Sequence, residues 1–417
     1  MKRLILLCLY GHLFLGMCWP QSMSGVLESY LNQYIDDLPT SNGDDFDPPS
    51  QAELLSWENV IKKMLSNELA MARTIADSLN YQLIEFQDTL PHSAGIYYLL
   101  EEKNPPKHFW GTYVIHSDPC RADLVLQAPH PKFDTNTGKE AVYAFVRLSA
   151  RALMLSGTHR CNHSDQSSCD GSTSVCNSGS GPYRISDMAH NELTAFHTTT
   201  QAIATLIPTS NFIQLHGFAK QSTDPYVILS NGTRDTPQTD YASLLKTELS
   251  VQDPVLSFKI AHIDQSWTRL IGFTNTQGRY LNGSDSPCDT GAGSTSGRFI
   301  HVEQEKGRLR EDASGWKKMY EAVSNVFVCD PSTSIQEDLS QTDVQVYPNP
   351  SLDRNLWIKG TNIQGIALLD VRGKSWIRHK FQGTNLYQLK VRELPPGIYL
   401  IQLTMGGRII QKRIILM

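Results

Sequence analysis

The sequence predicts an α/β domain built on a mixed sheet, followed by a small Ig-like β-sandwich. Three observations carry that expectation. Between residues 96 and 326, short apolar runs alternate with segments of helical period, the pattern of strands and helices packed in layers. Residues 344–417 instead hold several short alternating runs separated by turn residues. Between the two, residues 330–343 form a Ser/Thr/Gln/Asp tract that reads as a linker. A chain of 417 residues accommodates two or three folded units. Its 40% hydrophobic and 19% charged residues are a globular composition, which rules out wholesale disorder. A net charge of −5 with no strong basic stripe argues against a dedicated nucleic-acid binder.

Taken in chain order, residues 1–18 read as a secretory signal peptide. Lys2 and Arg3 precede a short apolar core, and Gly16 and Cys18 are small residues at a cleavage site. No later apolar run approaches the ~20 residues that span a bilayer. Residues 19–50 are polar, with an acidic patch at 44–47 and Pro48-Pro49, and are expected to be a loosely ordered leader. Residues 51–90 carry helical period through Leu54, Trp57, Ile61, Leu65, Leu69, Ile75, Leu79 and Leu83. These two stretches, 19–90, are set apart from an α/β domain over 91–329. Within it, strands are expected at 96–100, 113–116, 124–128, 152–156, 212–215, 226–229 and 299–302. Helices are expected at 139–147, 193–206, 241–249 and 316–326. Six cysteines lie beyond the signal: Cys120, Cys161, Cys169, Cys176, Cys288 and Cys329. An even count in an exported chain points to disulfides of undetermined connectivity. The alternative is a structural zinc site built from Cys161, Cys169 and Cys176 with His163.

Chemistry is suggested by where three strands end. The run 124–128 leads into His130, with Asp134 four residues later; 211–218 leads into His216 and Gly217; 298–305 carries Glu303. Ligands bind at the C-terminal ends of strands in α/β sheets. Two imidazoles and a carboxylate suit a catalytic zinc that leaves its fourth position open. A further carboxylate must then move protons. On that reading His130, Asp134 and His216 hold one zinc ion, and Glu303 is the general base. Glu305 competes with Glu303 for the role. The bland alternatives are a strand-end role for His130 and a helix cap for Asp134. Arg160, in SGTHRCN after a strand, offers a fork for a substrate carboxylate. Arg279, on a Gly-flanked turn, offers another, against the reading of a solvated hairpin arginine. His159 is either a partner behind the ligands or a loop residue. Asp187 and Asn191, before a helix, read as possible caps. His190 and His197 are seven apart, which would place them on one helical face. No HExxH, GxSxG or Walker A motif occurs.

Two resemblances extend this reading. YPNP (347–350), LLDVRGK (368–374), LPPGIYLIQL (394–403) and the basic-apolar ending 411–416 resemble the C-terminal sorting domain of the type IX secretion system of Bacteroidota, over 344–417. That resemblance implies export across both membranes by the secretion machinery, then release or attachment at the cell surface. The order His-x-x-x-acid, strand-end His, late strand-end Glu is similar to the zinc carboxypeptidase-like superfamily, over about 95–327. That group includes aspartoacylase-type deacylases and, more loosely, N-formylglutamate amidohydrolases and poly-γ-glutamate hydrolases. It implies a zinc-exopeptidase-like mixed eight-stranded sheet and zinc-dependent hydrolysis of a peptide or amide bond. Here HPKFD stands where the group has His-x-x-Glu. Two competitors remain: a cell-surface binding or adhesion protein with structural histidines, and a zinc amidase acting on peptidoglycan or N-acyl amino acids.

Overall fold

Parallel strands covered on both faces need continuous apolar runs rather than alternating ones, and the centre of the first half of the chain supplies them. The computed structural model describes residues 22–91, 93–329, 344–349, 351, 354–370, 374–405 and 408–416. The expected signal peptide, 1–18, and linker, 330–343, lie outside the described residues. The chain divides into two units, Met1–Ser334 and Ile335–Met417.

In the first unit the elements run β1 (Ser22–Gly25), α1 (Leu27–Asp37), α2 (Gln51–Leu65), α3 (Leu69–Ser78), β2 (Tyr81–Asp88), β3 (Gly95–Glu102), β4 (Thr112–His116), β5 (Arg121–Ala128), α4 (Thr137–Leu148), β6 (Ala150–Leu155), α5 (Ala195–Leu206), β7 (Asn211–Phe218), β8 (Val227–Ser230), α6 (Tyr241–Gln252), β9 (Phe258–Ile260), α7 (Thr276–Leu281), β10 (Phe299–Glu305) and α8 (Ala313–Val326). The ten strands form one mixed sheet in the order β1-β2-β3-β4-β6-β5-β7-β10-β8-β9. β5, β7 and β10 are parallel neighbours at its centre. After β5 the chain adds β6 on one side, then crosses to β7 on the other. The gap between the ends of β5 and β7 is therefore a topological switch point, where α/β sheets bind ligands. One face is covered by α1, α4, α6 and α8, around Leu126, Leu153, Ile213 and Ile300. The other is covered by α2, α3 and α5, around Trp57, Tyr113, Phe196 and Phe212.

Two sequence expectations change here. The leader is ordered from residue 22: β1 pairs with β2, and α1 buries Leu27, Leu31 and Ile35 against the sheet. The Lys132 ammonium donates to the carbonyls of Asp36 and Leu38, at 2.7 and 2.9 Å, which ties the end of α1 down. Residues 22–90 thus belong to the same sheet as the rest, and no boundary falls at 90. The helical stretch is also broken in three. α2 starts at a capping box, in which Ser50 and Glu53 satisfy each other's backbone N–H groups. It ends before Asn67, and α3 ends before Asn80; both asparagines adopt left-handed φ, at 58° and 60°. Leu83 then sits on β2, which buries Tyr81 and Leu83 on one face of the sheet and Ile84 and Phe86 on the other.

Trp57 on α2 is fully buried, with Tyr81, Trp110 and Tyr113 packed edge-on around it, and its indole N–H donates to Thr199 Oγ1 at 2.9 Å. Trp57→Ala is expected to cost ~3–5 kcal/mol, read as a lower denaturant midpoint at unchanged slope.

The second unit holds β11 (Gln345–Tyr347), β12 (Asn355–Asp370), β13 (Ser375–Lys390), β14 (Gly397–Met405) and β15 (Arg408–Leu416). These strands pair antiparallel, β12 with β11, β13 and β14, and β14 with β15. In place of the short runs expected in this segment, Asn355–Asp370 is one strand of 16 residues, interrupted by register shifts. Such bulges let a long strand bend while Leu356, Ile358, Ile366, Leu368, Ile401 and Leu403 stay in one core.

Candidate metal centre

Each of the three expected strand ends delivers its side chain to one place. His130 lies two residues past β5, and His216 lies near the end of β7. Glu303, near the end of β10, is the register partner of His216. One oxygen of Asp134 is the focus. Its Oδ2 lies 3.2 Å from His130 Nδ1 and 3.4 Å from His216 Nδ1, and it accepts the Gly217 backbone N–H at 3.2 Å. The donor atoms of His130, Asp134 and His216 all lie within 4.8 Å of one another, and all three residues are buried. Asp134 does not cap the following helix, because its carboxylate is turned into this cluster.

The outward nitrogens are also provided for. His130 Nε2 lies 2.9 Å from Asp187 Oδ1, and His216 Nε2 lies 2.7 Å from Gln214 Oε1. An acceptor on Nε2 fixes the proton there and leaves Nδ1 as a lone pair facing Asp134, the arrangement that orients imidazole ligands. Burial, reinforced by the Arg160 guanidinium, pushes His130 down to about 4, and burial holds His216 well below the usual imidazole range. Both rings are therefore neutral near pH 7, as metal ligation requires. Burial pushes the Asp187 carboxyl up. His190 and His130 together outweigh that and hold it well below the carboxylate range. Asp187→Asn is expected to weaken metal binding by about 10–100-fold, measured by competition with a chelating dye; unchanged affinity would remove Asp187 from the site.

Glu303 is buried, and its Oε2 makes no hydrogen bond among the described residues. Burial lifts its carboxyl to about 7, against the pull of Arg160 and Arg310. Glu305 is excluded from the site: it turns out at the end of β10 and accepts the N–H groups of Gly307 and Arg308, at 2.7 and 2.9 Å. His301 is a member of the cluster that the sequence reading missed. It lies two residues before Glu303, on the same face of β10. Its ring lies 4.5 Å from that of His216, and its Nδ1 has no hydrogen-bond partner among the described residues. With His216 and Glu303 it forms a second buried set of donors, also within 4.8 Å. Gly272, at φ 68°, lets a turn lie against this ring, since a Cβ there would stand 2.8 Å from His301 Cδ2.

Arg160 reaches the site but donates to Asp134 Oδ1, the oxygen not shared by the two imidazoles. Arg279 is not at the site. It is buried on α7, ion-paired with Asp170, and donates to the carbonyls of Phe273, Pro287 and Cys288. It is a staple for that loop rather than a substrate contact. Asn191 makes a local turn, and Thr194 rather than Asp187 or Asn191 caps α5. His190 precedes α5, so it shares no helical face with His197; it stacks on Tyr183 and pairs with Asp187. The six cysteines form the disulfides Cys120–Cys329, Cys161–Cys176 and Cys169–Cys288, which removes the alternative of a zinc site in the Cys161–Cys176 loop.

Comparison with known proteins identifies one end of the chain. Residues 345–417 match the family model of the secretion system C-terminal sorting domain. The second unit is thus a type IX sorting domain, and the protein is exported, to be secreted or attached at the cell surface. Among the described residues no helix is long and apolar enough to cross a membrane. An endo-acting ulvan lyase from Formosa agariphila is 28% identical over 149 residues, which cover 34% of this chain and 25% of that protein. This chain therefore spans only about a quarter of that relative. Two endo-β-1,4-mannanase structures, from Thermotoga petrophila and Cellulomonas fimi, align at 11% identity. They cover 51% and 55% of this chain, and 40% and 51% of their own, with TM-scores of 0.14 and 0.15.

Proposed function

We propose that this protein is an exported zinc-dependent hydrolase that cleaves a peptide or amide bond. The observation that carries the reading is the convergence of His130 Nδ1, His216 Nδ1 and Asp134 Oδ2, with both Nε2 atoms already held by acceptors. The donor set fits zinc: two neutral imidazoles and one carboxylate in a buried site. A zinc ion there would supply Lewis-acid polarisation of a carbonyl and acidification of a water. This chain's residues supply the rest. Glu303 Oε2, without a hydrogen bond among the described residues and on a carboxyl lifted to about 7, accepts the proton of the attacking water and returns it to the leaving nitrogen. Asp187 and Gln214 hold the two rings in register. Arg160 neutralises the second Asp134 oxygen and is placed to meet an anionic substrate group.

The adhesion reading, in which the histidines are structural, is disfavoured by two other atoms of the cluster. A structural polar cluster satisfies its buried groups, whereas Glu303 Oε2 and His301 Nδ1 are left unpaired among the described residues. The test is release of primary amine from a panel of peptides, N-acyl amino acids and peptidoglycan fragments, with and without a chelator. Chelator-sensitive release from one class supports the proposal and names the substrate. No release from any amide would sink it, together with the amidase variant.

A further inference from the structure

A cavity of about 540 Å³ lies between the segment 41–44 and the loop 159–164 that follows β6. That volume falls within the ~300–1,000 Å³ of small-molecule sites. It adjoins the buried cluster through His159. This ring packs edge-on against Phe133, the residue before Asp134, with centroids 4.0 Å apart, and it feels the charges of His130 and Asp187. The cavity is built rather than left over. Asn162 is fully buried and clamps the two walls together: its Oδ1 accepts the N–H groups of Asp45 and Phe46, at 2.8 and 3.0 Å, and its Nδ2 donates to the Thr40 carbonyl at 2.7 Å. The Cys161–Cys176 disulfide closes the loop that carries His163.

Two tautomers are fixed on these walls. The Cys161 N–H donates to His159 Nδ1 at 2.8 Å, and the Asp165 N–H donates to His163 Nδ1 at 3.0 Å. An Nδ1 that accepts cannot also carry the proton, so each neutral ring presents an Nε2–H. Both rings are half-buried, and the hydrogen bonds they make among the described residues are those at Nδ1. The other charged groups are already engaged. Arg184 donates to the carbonyls of Ser164 and Cys176, and Asp44 Oδ1 accepts the Ser164 N–H at 2.9 Å and lies 3.8 Å from His163 Nδ1. The lining holds no aliphatic side chain to grip an apolar group and no Phe, Tyr or Trp on which a sugar ring could stack.

We propose that this cavity binds the main chain of a peptide substrate beyond the bond under attack, with the Nε2–H groups of His159 and His163 donating to peptide carbonyl oxygens. The proposal rests on the hydrolase reading for the presence of a peptide. It adds that recognition there is of backbone rather than of side chains, and that it grows with peptide length. Pentaglycine, a main chain without side chains, is the probe. It is titrated calorimetrically into the zinc-loaded, full mature chain carrying Glu303→Gln, alone and combined with His163→Phe or His163→Gln. Gln restores an N–H near the Nε2 position, and Phe does not.

The expected result is binding of pentaglycine that exceeds that of triglycine, falls at least tenfold with His163→Phe, and returns to within about threefold with His163→Gln. No binding, equal binding by all three proteins, or loss with both substitutions overturns the proposal. So does His163-dependent binding of cellopentaose in place of pentaglycine, which would make this a glycan site. The readout needs no turnover, so the two readings fail separately. Absence of amine release with His163-dependent binding sinks the hydrolase alone. Amine release with His163-independent binding sinks the subsite alone.

Discussion

Glu303→Gln is expected to lower kcat by about 10²–10⁴-fold, the range that a positioned general acid or base contributes, while zinc content and KM stay near wild type. The argument is one of shape against chemistry. Gln fills the same buried space at the end of β10 and keeps one carbonyl oxygen, so the packing around His216 and His301 survives. It cannot accept the proton of a water molecule. The pH profile carries the same signature. Without an ion, burial lifts Glu303 to about 7; a divalent cation beside it favours the carboxylate and draws that value down. Activity of the zinc-loaded protein should therefore rise with pH along an acidic limb centred below 7, as Glu303 loses its proton, and this limb should vanish in Glu303→Gln. Unimpaired turnover in the variant, or an identical limb, would remove Glu303 from the mechanism.

What the sequence made legible follows from how strongly local patterns constrain it. The apolar runs at 124–128, 212–215 and 299–302 read as buried strands, and the residues at their ends share one edge because the strands are parallel and adjacent. His130, Asp134, His216 and Glu303 were therefore visible from position alone. The leader was not, because β1 and α1 hold their places through pairing with Glu85–Asp88 and packing on the sheet, which are long-range contacts. Arg279 and Arg160 looked alike as loop arginines. Only the fold reveals that one meets Asp170 and three carbonyls while the other meets Asp134. His301 did leave a signal, since a residue two before Glu303 on a strand shares its face. The tautomers of His159 and His163 left none, since they depend on backbone N–H groups turned inward by a loop.

The largest expected effect is on the ion itself. The mature wild-type chain should hold one zinc per molecule after dialysis, measured by elemental analysis, and His216→Ala should hold close to none. His216 is the residue to remove because both buried donor sets include it, with His130 and Asp134 on one side and His301 and Glu303 on the other. Its loss leaves neither set with three donors. Retention should also resist acid further than ordinary imidazole sites allow. Protons compete with zinc for Nδ1 only when the ring titrates, and burial with Arg160 has pushed His130 to about 4. Half-release is then expected at a lower pH than for a site built of solvent-exposed imidazoles. Because zinc binds the folded state, a hundredfold excess over its dissociation constant adds about 2.7 kcal/mol of stability, which should raise the Tm of wild type by several degrees and leave His216→Ala unmoved. A wild type that carries no ion, or a His216→Ala variant that keeps one, would leave the strand-end histidines as packing and take the hydrolase with it.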